Sequence, residues 1–166
     1  MVTIRPYQDD DADCVGRVIA DTFSKYNLAD FSPEELPLFM GPFYYARSDQ
    51  EEHKATIARM IRAAMVFVAE DDGDIVGVLR GRSDKLQSLF VREDYHRRGV
   101  GRKLVARFEE ECKRQGGSEI KVMATIYAVP FYQAVGYKRT TGVRRMRSFD
   151  GEGLPYQPMK KVIPGE

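Results

Sequence analysis

The residues best suited to chemistry lie in segment 92–103, where basic side chains surround a glycine turn between a predicted strand and a predicted helix. The cations of this turn are Arg97, Arg98, Arg102 and Lys103. The first amides of a helix have no partner within the helix, and the helix dipole adds partial positive charge there. Gly99 and Gly101 would let an anion approach the backbone. The segment therefore predicts an anion site, because a bound anion would offset the unfavourable meeting of cations with the helix dipole.

Two common phosphate-binding motifs are absent from this segment. The chain contains no GxxxxGK[ST] sequence, which a P-loop requires. A dinucleotide-binding fingerprint needs a third glycine, but position 104 is Leu. Two interpretations stay open, namely a pyrophosphate held by the backbone of residues 96–102 and a basic, solvated helix start.

The chain carries almost no net charge, so any anion must be held locally. Lys plus Arg number 26 and Asp plus Glu number 25, which gives +1 at pH 7. The arginines of segment 97–102 lie far in sequence from those of segment 144–147, so a nucleic-acid-binding domain is the weaker hypothesis. No apolar run approaches the roughly 18–20 residues that a membrane span needs. We therefore expect neither a nucleic acid nor a membrane as partner.

Of the two cysteines, Cys112 is predicted on an apolar helix stripe and Cys14 near another, and they show no metal-ligand spacing. His53 and His96 are far apart and lack an acidic ligand pattern, so we expect no metal site. We also expect no disulfide framework and a cytoplasmic location. Neither cysteine is predicted at a helix N-terminus that would lower its pKa, which argues against a covalent acyl-cysteine route.

The elements that position the anion site follow from periodicity and turn residues. Strands are predicted at 2–5, 65–70, 75–81, 86–91, 120–124, 141–148 and 157–163, with Gly151-Glu152-Gly153 joining the last two. Helices are predicted at 12–26, 51–64, 99–115 and 127–135, with short helices or a folded loop over 27–47. Ser48 and Glu51 fit a capping box at the second helix. The order predicts one α/β (α+β) domain over residues 1–166, with helices on a mixed sheet.

Two blocks of the chain resemble the signature of the GNAT family of acyl-CoA-dependent N-acyltransferases. The first is His96-Arg97-Arg98-Gly99-Val100-Gly101 after Leu89-Phe90-Val91, which is similar to the family's (Gln/Arg)-x-x-Gly-x-(Gly/Ala) sequence after a strand. The second runs from Thr125 to Tyr137 and looks like the family block N-x-x-A-x-x-F-Y-x-x-x-G-(F/Y). The resemblance is specific over about residues 86–137, and the remainder agrees in element order.

The resemblance implies a mostly antiparallel central sheet flanked by helices, with a V-shaped splay between central strands. It also implies direct attack of a primary amine on acetyl-CoA, the co-substrate, in a ternary complex. Tyr132 matches the family tyrosine that protonates the leaving thiolate, and a phenol is protonated at neutral pH. The N–H of Leu89 is implied as the donor to the carbonyl oxygen. The implied contacts to the co-substrate are Leu89, Phe90, Val91, His96, Arg97, Arg98, Gly99, Val100, Gly101, Arg102, Lys103, Thr125, Ala128 and Phe131.

The sequence departs from the family pattern at several positions. His96 replaces the usual Gln or Arg, and Thr125 stands where Asn is common. Lys85 and Ile120 occupy strand positions where several members carry a catalytic Glu, so the sequence does not identify the general base. Glu70 is one candidate base, and the others are Glu34, Glu35 and His53.

The acceptor is encoded only as an aromatic wall, which favours an amphipathic amine. The predicted wall includes Phe23, Tyr26, Phe31 and Tyr44, with residues 151–155 closing the other side of the cleft. The amine belongs either to a small molecule or to a peptide or protein, and the sequence leaves a homodimer open. The alternative to an enzyme is a non-catalytic module that binds and senses acyl-CoA, because the family's Glu positions are replaced.

Overall fold

An eight-stranded sheet with helices on both faces forms the structure, a computed structural model that describes residues 1–164. The strands are β1 (Thr3–Pro6), β2 (Met65–Asp71), β3 (Asp74–Arg82), β4 (Lys85–Val91), β5 (Glu119–Thr125), β6 (Lys138–Arg139), β7 (Arg144–Ser148) and β8 (Gly151–Val162). The α-helices are α1 (Ala12–Thr22), α2 (Leu36–Met40), α3 (Glu51–Ile61), α4 (Val100–Arg114) and α5 (Val129–Ala134). Residues 165–166 of the predicted domain lie outside the described residues.

The strand order is β1-β2-β3-β4-β5-β8-β6, and β7 also pairs with β8. Every pairing is antiparallel except that of β4 with β5. This parallel pair is short, since only Lys85 with Lys121 and Leu86 with Val122 are in register. Beyond these pairs the two strands separate. The predicted mixed, mostly antiparallel sheet and its V-shaped splay are therefore confirmed.

Two hydrophobic cores hold the helices on opposite faces of the sheet. On one face, the apolar stripe of α4, including Leu104 and Phe108, packs on Leu79 and Ile120. On the other face, α1, α2 and α3 pack over Val78, which is fully buried. The alternation of side chains along β3 thus serves both cores, because successive residues point to opposite faces.

The predicted β2–β3 hairpin is confirmed, and its cause is local. Asp72 and Gly73 both have positive φ, 50° and 84°, which a two-residue turn between twisted strands requires. The predicted strands at 65–70, 75–81, 86–91 and 120–124 agree with β2 to β5, and helix 99–115 agrees with α4 within one residue at each end. Segment 27–47 forms short helices, as one of the two alternatives predicted.

Four local predictions are wrong. The helix predicted to Ala64 ends at Ile61, and the capping box does not form, because the Ser48 hydroxyl instead accepts from the Gln50 N–H at 3.1 Å. The last hairpin turns at Phe149–Asp150, so Gly151 begins β8 rather than a turn. The first helix leaves α geometry after Thr22 for a π-helical turn over Phe23–Asn27.

The π-helical turn has a visible cause in hydroxyl groups that bond back to the helix. Thr22 Oγ1 donates to the Val18 carbonyl at 2.6 Å, and Ser24 Oγ donates to the Ala20 carbonyl at 2.7 Å. Such bonds compete with the regular ladder and bend helices. The Leu28 N–H then reaches five residues back, to the Phe23 carbonyl at 2.9 Å. The widened turn moves Tyr26 and Asn27 toward the place where β4 and β5 separate.

Candidate active site

A cavity of about 840 Å³ opens where β4 and β5 separate. Its lining from the sheet comes from residues 87–91 of β4 and 122–125 of β5. The turn before α4, the π-helical turn, α5 and the β7–β8 hairpin complete the wall. The cavity thus joins the predicted anion turn to the predicted acceptor wall.

The turn before α4 presents a row of free peptide N–H groups. Within the described residues, the N–H groups of 97–102 donate to no protein acceptor, whereas those of His96 and Lys103 donate to the carbonyls of Glu93 and Gly99. The carboxyl end of this row is the first turn of α4, where the helix dipole is positive. Consecutive free N–H groups at a helix start are a suitable cradle for phosphate oxygens.

The two glycines of this turn serve different purposes. Gly99 has φ +79°, a left-handed conformation that side chains disfavour, and a Cβ there would meet nothing within 4 Å. A Cβ on Gly101 would lie 3.0 Å from the ring of Phe131. Gly99 therefore sets the backbone turn, and Gly101 allows α4 to pack against α5. A Cβ on Gly101 would meet Phe131 of α5, so the close approach at Gly101 is to a protein side chain, and the predicted approach of an anion to Gly99 stays a prediction.

The four cations of the turn separate into two pairs. Arg97 and Arg102 line the cavity. Arg98 instead lies over the Tyr95 ring, with its guanidinium carbon 4.4 Å from the ring centre. Lys103 is exposed and does not line the cavity. Arg98 and Lys103 are thus placed beside the predicted contact surface rather than in it.

His96 connects the turn to the end of β4. Its Nε2 lies 2.6 Å from the Val91 carbonyl oxygen, so this nitrogen carries the hydrogen and donates it. The Tyr26 ring packs on His96 and on Tyr127, each at a centroid distance of 5.0 Å. Asn27 Nδ2 donates to the Thr125 hydroxyl at 3.2 Å and so bridges the π-helical turn to the end of β5. Thr125 stands where the family commonly has Asn, and the Asn beside it here is Asn27, from a distant part of the chain.

Backbone groups of β4 point into the cavity in the stretch that follows a β-bulge. Arg80 and Gly81 of β3 pair with Ser88 and Leu86, which leaves Gln87 as a β-bulge. Beyond the bulge, the Arg92 N–H donates to the Val76 carbonyl at 2.8 Å. Because N–H and C=O groups alternate in direction along a strand, those of Leu89 point away from β3 and into the gap beside β5. This is the position that the predicted carbonyl-oxygen donor requires.

Tyr132 lies on α5 and lines the same cavity. Its side chain is almost completely buried, and burial raises the pKa of its hydroxyl above the usual value of about 10. Its ring meets those of Phe131 and Tyr137 edge to face, at 5.3 Å and 5.7 Å. The hydroxyl therefore holds its proton through neutral and moderately alkaline pH, as a general acid must.

The acceptor side of the cavity is apolar. Phe23 and Tyr26 line it as predicted, and the further apolar side chains there are Ile19, Phe43, Met146, Phe149 and Leu154. Phe90 meets Phe23 edge to face at 5.9 Å, so β4 and the π-helical turn form one continuous wall. Leu154 belongs to the segment predicted to close the cleft.

The structure leaves two residues of the predicted acceptor wall, and the candidate base Glu70, outside the cavity. Phe31 packs on Phe39 with ring centres 4.3 Å apart, and Tyr44 is half exposed beside Tyr45. The carboxylate of Glu70 accepts from Arg5 Nε at 3.0 Å at the other edge of the sheet, where β2 pairs with β1. Glu34, Glu35 and His53 do not line the cavity either. The predicted placement of these groups at the site is not supported.

Sequence reasoning missed several polar residues that line the cavity: Asn27, Arg80, Gln87, Ser88 and Arg147. Arg80 and Ser88 are cross-strand partners, so their meeting depends on strand register. A β-bulge has no reliable sequence signal, and Arg80 reads as an ordinary exposed position in an alternating strand. Asn27 could have been noticed as a polar residue at the end of a helical stripe.

Residues 1–164 contain no group of three or more His, Cys, Asp and Glu side chains placed to hold a metal ion. None of the helices in this part of the chain is both long and apolar enough to cross a membrane. Both cysteines are free thiols. The predictions for Cys14 are wrong, because it is exposed in the first turn of α1. Cys112 is buried as predicted, and burial raises its pKa to about 12.

Comparisons with known proteins agree with this geometry. The uncharacterized protein YyaT of Bacillus subtilis (strain 168) is 29% identical over 83 residues, which are 50% of this chain and 53% of that protein. This chain thus spans about half the length of the curated relatives that it matches. A GCN5-related N-acetyltransferase from Rhodopseudomonas palustris has the same fold, with a TM-score of 0.80, 24% identity and coverage of 97% of this chain and 95% of that one.

A structure solved with a ligand also shares the fold. The PaiA N-acetyltransferase from Thermoplasma acidophilum, crystallised in complex with coenzyme A, has a TM-score of 0.72 and 17% identity, with coverage of 98% of this chain and 99% of that one. The family model described as the acetyltransferase (GNAT) domain matches residues 27–163. With the splayed strands, the open amide row and this match, the chain belongs to the GNAT acetyltransferase family.

Proposed function

We propose that this protein is an acetyl-CoA-dependent N-acetyltransferase that acts on a primary amine. The observation that carries the proposal is the row of unbonded N–H groups at residues 97–102, which opens into the cavity between β4 and β5. The first N–H groups of any helix lack a partner within the helix, but a row of six that faces a cavity and is flanked by arginines is especially suited to an anionic ligand. Residues 1–166 would then form one acyltransferase domain.

The residues present fit the diphosphate and pantetheine arm of coenzyme A. The free amides and the guanidinium groups of Arg97 and Arg102 supply donors and positive charge at one end of the cavity. The edges of β4 and β5 beyond Leu86 and Val122 are unpaired and face each other, so an amide-bearing chain could bond to both. Acetyl-CoA would supply an acetyl group activated as a thioester.

Two groups of this chain would act on the reacting atoms. The Leu89 N–H, directed into the gap, would donate to the carbonyl oxygen as negative charge develops there. The Tyr132 hydroxyl would give its proton to the departing sulfur, and its raised pKa keeps that proton available. The backbone donor is fixed by its strand, and the phenol is fixed by the rings that surround it.

No carboxylate lines the cavity among the described residues, so the proton of the amine must leave without one. The cationic groups of Arg80, Arg97, Arg102 and Arg147 do line it. A nearby positive charge disfavours a second cation and lowers the pKa of a bound amine. The amine would therefore bind as the free base or lose its proton to water.

The absence of a carboxylate also favours a second candidate, a module that binds acyl-CoA without turnover. The two candidates differ in a direct measurement. For the enzyme, we expect coenzyme A binding by calorimetry and release of thiol from acetyl-CoA with at least one amine. For the module, binding occurs and no amine is acetylated. No binding of coenzyme A by the folded protein would contradict both.

Neighbouring residues of α4 offer a matched pair of variants. Arg102→Gln removes a cation that lines the cavity, whereas Lys103→Gln removes one that does not. Loss of a charge-assisted contact costs about 1.5–3 kcal/mol, so Arg102→Gln should weaken coenzyme A binding by about tenfold or more. Lys103→Gln should change it much less. Equal losses in the two variants would contradict the cradle.

The proposal also covers the kind of acceptor, the location of the protein and its oligomeric state. The acceptor amine belongs to a small molecule or to a peptide or protein, and the two free thiols suit a cytoplasmic protein. Size measurement in solution would decide between a monomer and a homodimer.

A further inference from the structure

The acceptor side of the cavity has an unusual charge pattern. Among the described residues, every ionisable group that lines the cavity and carries a fixed charge is an arginine. Arg97 and Arg102 belong to the amide row, which leaves Arg80 and Arg147 for the acceptor side. Arg147 is largely exposed and pairs with Glu152, so it marks the rim. Arg80 is the interior cation.

Arg80 is partly buried, and no carboxylate pairs with it in the described part of the chain. Its Nε donates to the Ile61 carbonyl and its Nη2 to the Met60 carbonyl, each at 2.8 Å, and Nη2 lies 3.4 Å from the Arg62 carbonyl. These contacts hold it against the carboxyl end of α3. Burial lowers the pKa of Arg80, as expected for a cation without an anionic partner.

Arg80 and Ser88 each keep one hydrogen-bond donor that no protein group in the described residues accepts. Nη1 of Arg80 lies 3.3 Å from the Ser88 hydroxyl oxygen, which accepts from it. A guanidinium has five N–H donors, so one on Nη1 remains beside this hydroxyl. The Ser88 O–H is itself free to donate. The carboxyl end of α3 offsets part of the positive charge of Arg80, but no carboxylate in the described residues neutralises it. An N–H and an O–H beside this guanidinium suit one carboxylate group.

The walls around this pair are apolar. Ile19, Phe23 and Phe43 come from the helical layer, and Met146 and Leu154 come from the β7–β8 hairpin. A polyamine or another multiply cationic amine would bring charges into a cavity with no carboxylate to receive them. An amine with an anionic group and an apolar side chain would satisfy both features.

We propose that the acceptor is an amino carboxylate with an apolar side chain, whose carboxylate is held by Arg80 and Ser88. This inference rests on the proposed acetyltransferase function and deepens it, because it names the substrate class of the same cavity. The apolar side chain lies against the aromatic wall, and the free amine faces the gap between β4 and β5.

The test compares matched amines at equal free-base concentration. L-phenylalanine, L-phenylalaninamide and phenethylamine share a side chain and differ in the carboxylate, and the leucine series repeats the comparison. We expect kcat/KM for each amino acid to exceed that of its amide and its decarboxylated amine by at least about tenfold, the effect of a charge-assisted hydrogen bond. Spermidine should be a poor substrate.

The contrary outcomes separate the two proposals. Turnover of phenethylamine or spermidine with equal or higher kcat/KM would overturn the substrate class and leave the acetyltransferase intact. Coenzyme A binding without turnover of any amino carboxylate would also overturn the class. Failure to bind coenzyme A would overturn the acetyltransferase itself.

A variant pair on the neighbouring strands tests the contact. Ser88→Ala removes the hydroxyl and leaves the bonds of Arg80 to α3 in place, so the protein should fold. We expect KM for L-phenylalanine to rise about tenfold and KM for phenethylamine to stay unchanged. Arg82→Gln, on β3 outside the cavity, is the matched control and should change neither. An equal rise for both amines in Ser88→Ala would contradict the carboxylate contact.

Discussion

Replacing Tyr132 by Phe should separate activity from stability. The variant removes one hydroxyl from a ring that is almost completely buried, and leaves the packing against Phe131 and Tyr137 in place. The buried side-chain polar atoms that lack a partner in the described residues are the Tyr7 hydroxyl and Nη1 of Arg107, so the Tyr132 hydroxyl, which lines the cavity, is open to it. Its removal should relieve no large desolvation cost. The free energy of unfolding should therefore change by less than about 1 kcal/mol.

The activity should fall because a positioned general acid contributes about 10²–10⁴ to the rate. We expect Tyr132→Phe to lower kcat by a factor in this range, with coenzyme A affinity unchanged. The assays are thiol release from acetyl-CoA, calorimetry with coenzyme A and urea unfolding. The pH profile adds a second readout, because the raised pKa of Tyr132 keeps the acid protonated. The wild-type rate should not decline below about pH 10.

Tyr137→Phe is the matched control. The Tyr137 hydroxyl donates to Glu109 Oε2 at 3.0 Å, so this variant loses a bond of about 1 kcal/mol. It should unfold more easily and keep its activity. Full activity of Tyr132→Phe, or loss of coenzyme A binding in it, would refute the assignment of Tyr132 as the acid.

Two further predictions concern stability. Hydrogen bonds from Arg5, at 2.8 Å and 2.9 Å, hold the pKa of Asp11 below its usual range. Their contribution to the free energy of unfolding is therefore present above about pH 4 and is lost as pH falls through the lowered pKa. Urea unfolding between pH 6 and pH 2 should show that Asp11→Asn loses less of this free energy than the wild type, and an identical pH dependence in the two proteins would contradict the role of Asp11. Gly99→Ala should destabilise the protein by about 1 kcal/mol because φ is +79°, whereas Gly99→Asn, which tolerates this conformation, should cost less. Equal losses in the two variants would show that backbone strain is not the cause.

The sequence predicts the local features well. The amide cradle follows from Gly99 between a strand and a helix, and the hairpin at Asp72-Gly73 follows from turn chemistry. The place of Tyr132 in a family block predicts a position at the site, and Tyr132 does line the cavity. Each of these depends on residues close together in the chain.

The features that sequence reasoning missed depend on contacts between distant segments. Asn27 meets Thr125, and Arg80 meets Ser88, only because the sheet register and the π-helical turn bring them together. Glu70 shows the converse error, since a carboxylate at a strand end can equally pair with Arg5 on a neighbouring strand. The charge of a residue and its place in a periodic pattern do not show whether it lines the cavity or pairs elsewhere on the sheet.

The bulge at Gln87 makes the site sensitive to chain length rather than to side-chain identity. The parallel pairing of β4 with β5 ends at Leu86, immediately before the bulge, and a bulge bends its strand and increases the local twist. Deletion of Gln87 would make Gly81 with Leu86 and Arg80 with Ser88 consecutive pairs, so β4 would straighten and its pairing with β5 could continue into the gap that the cavity occupies. Exchange of the Gln87 side chain would leave the bend in place. The site should therefore tolerate substitutions at position 87 far better than an insertion or a deletion there.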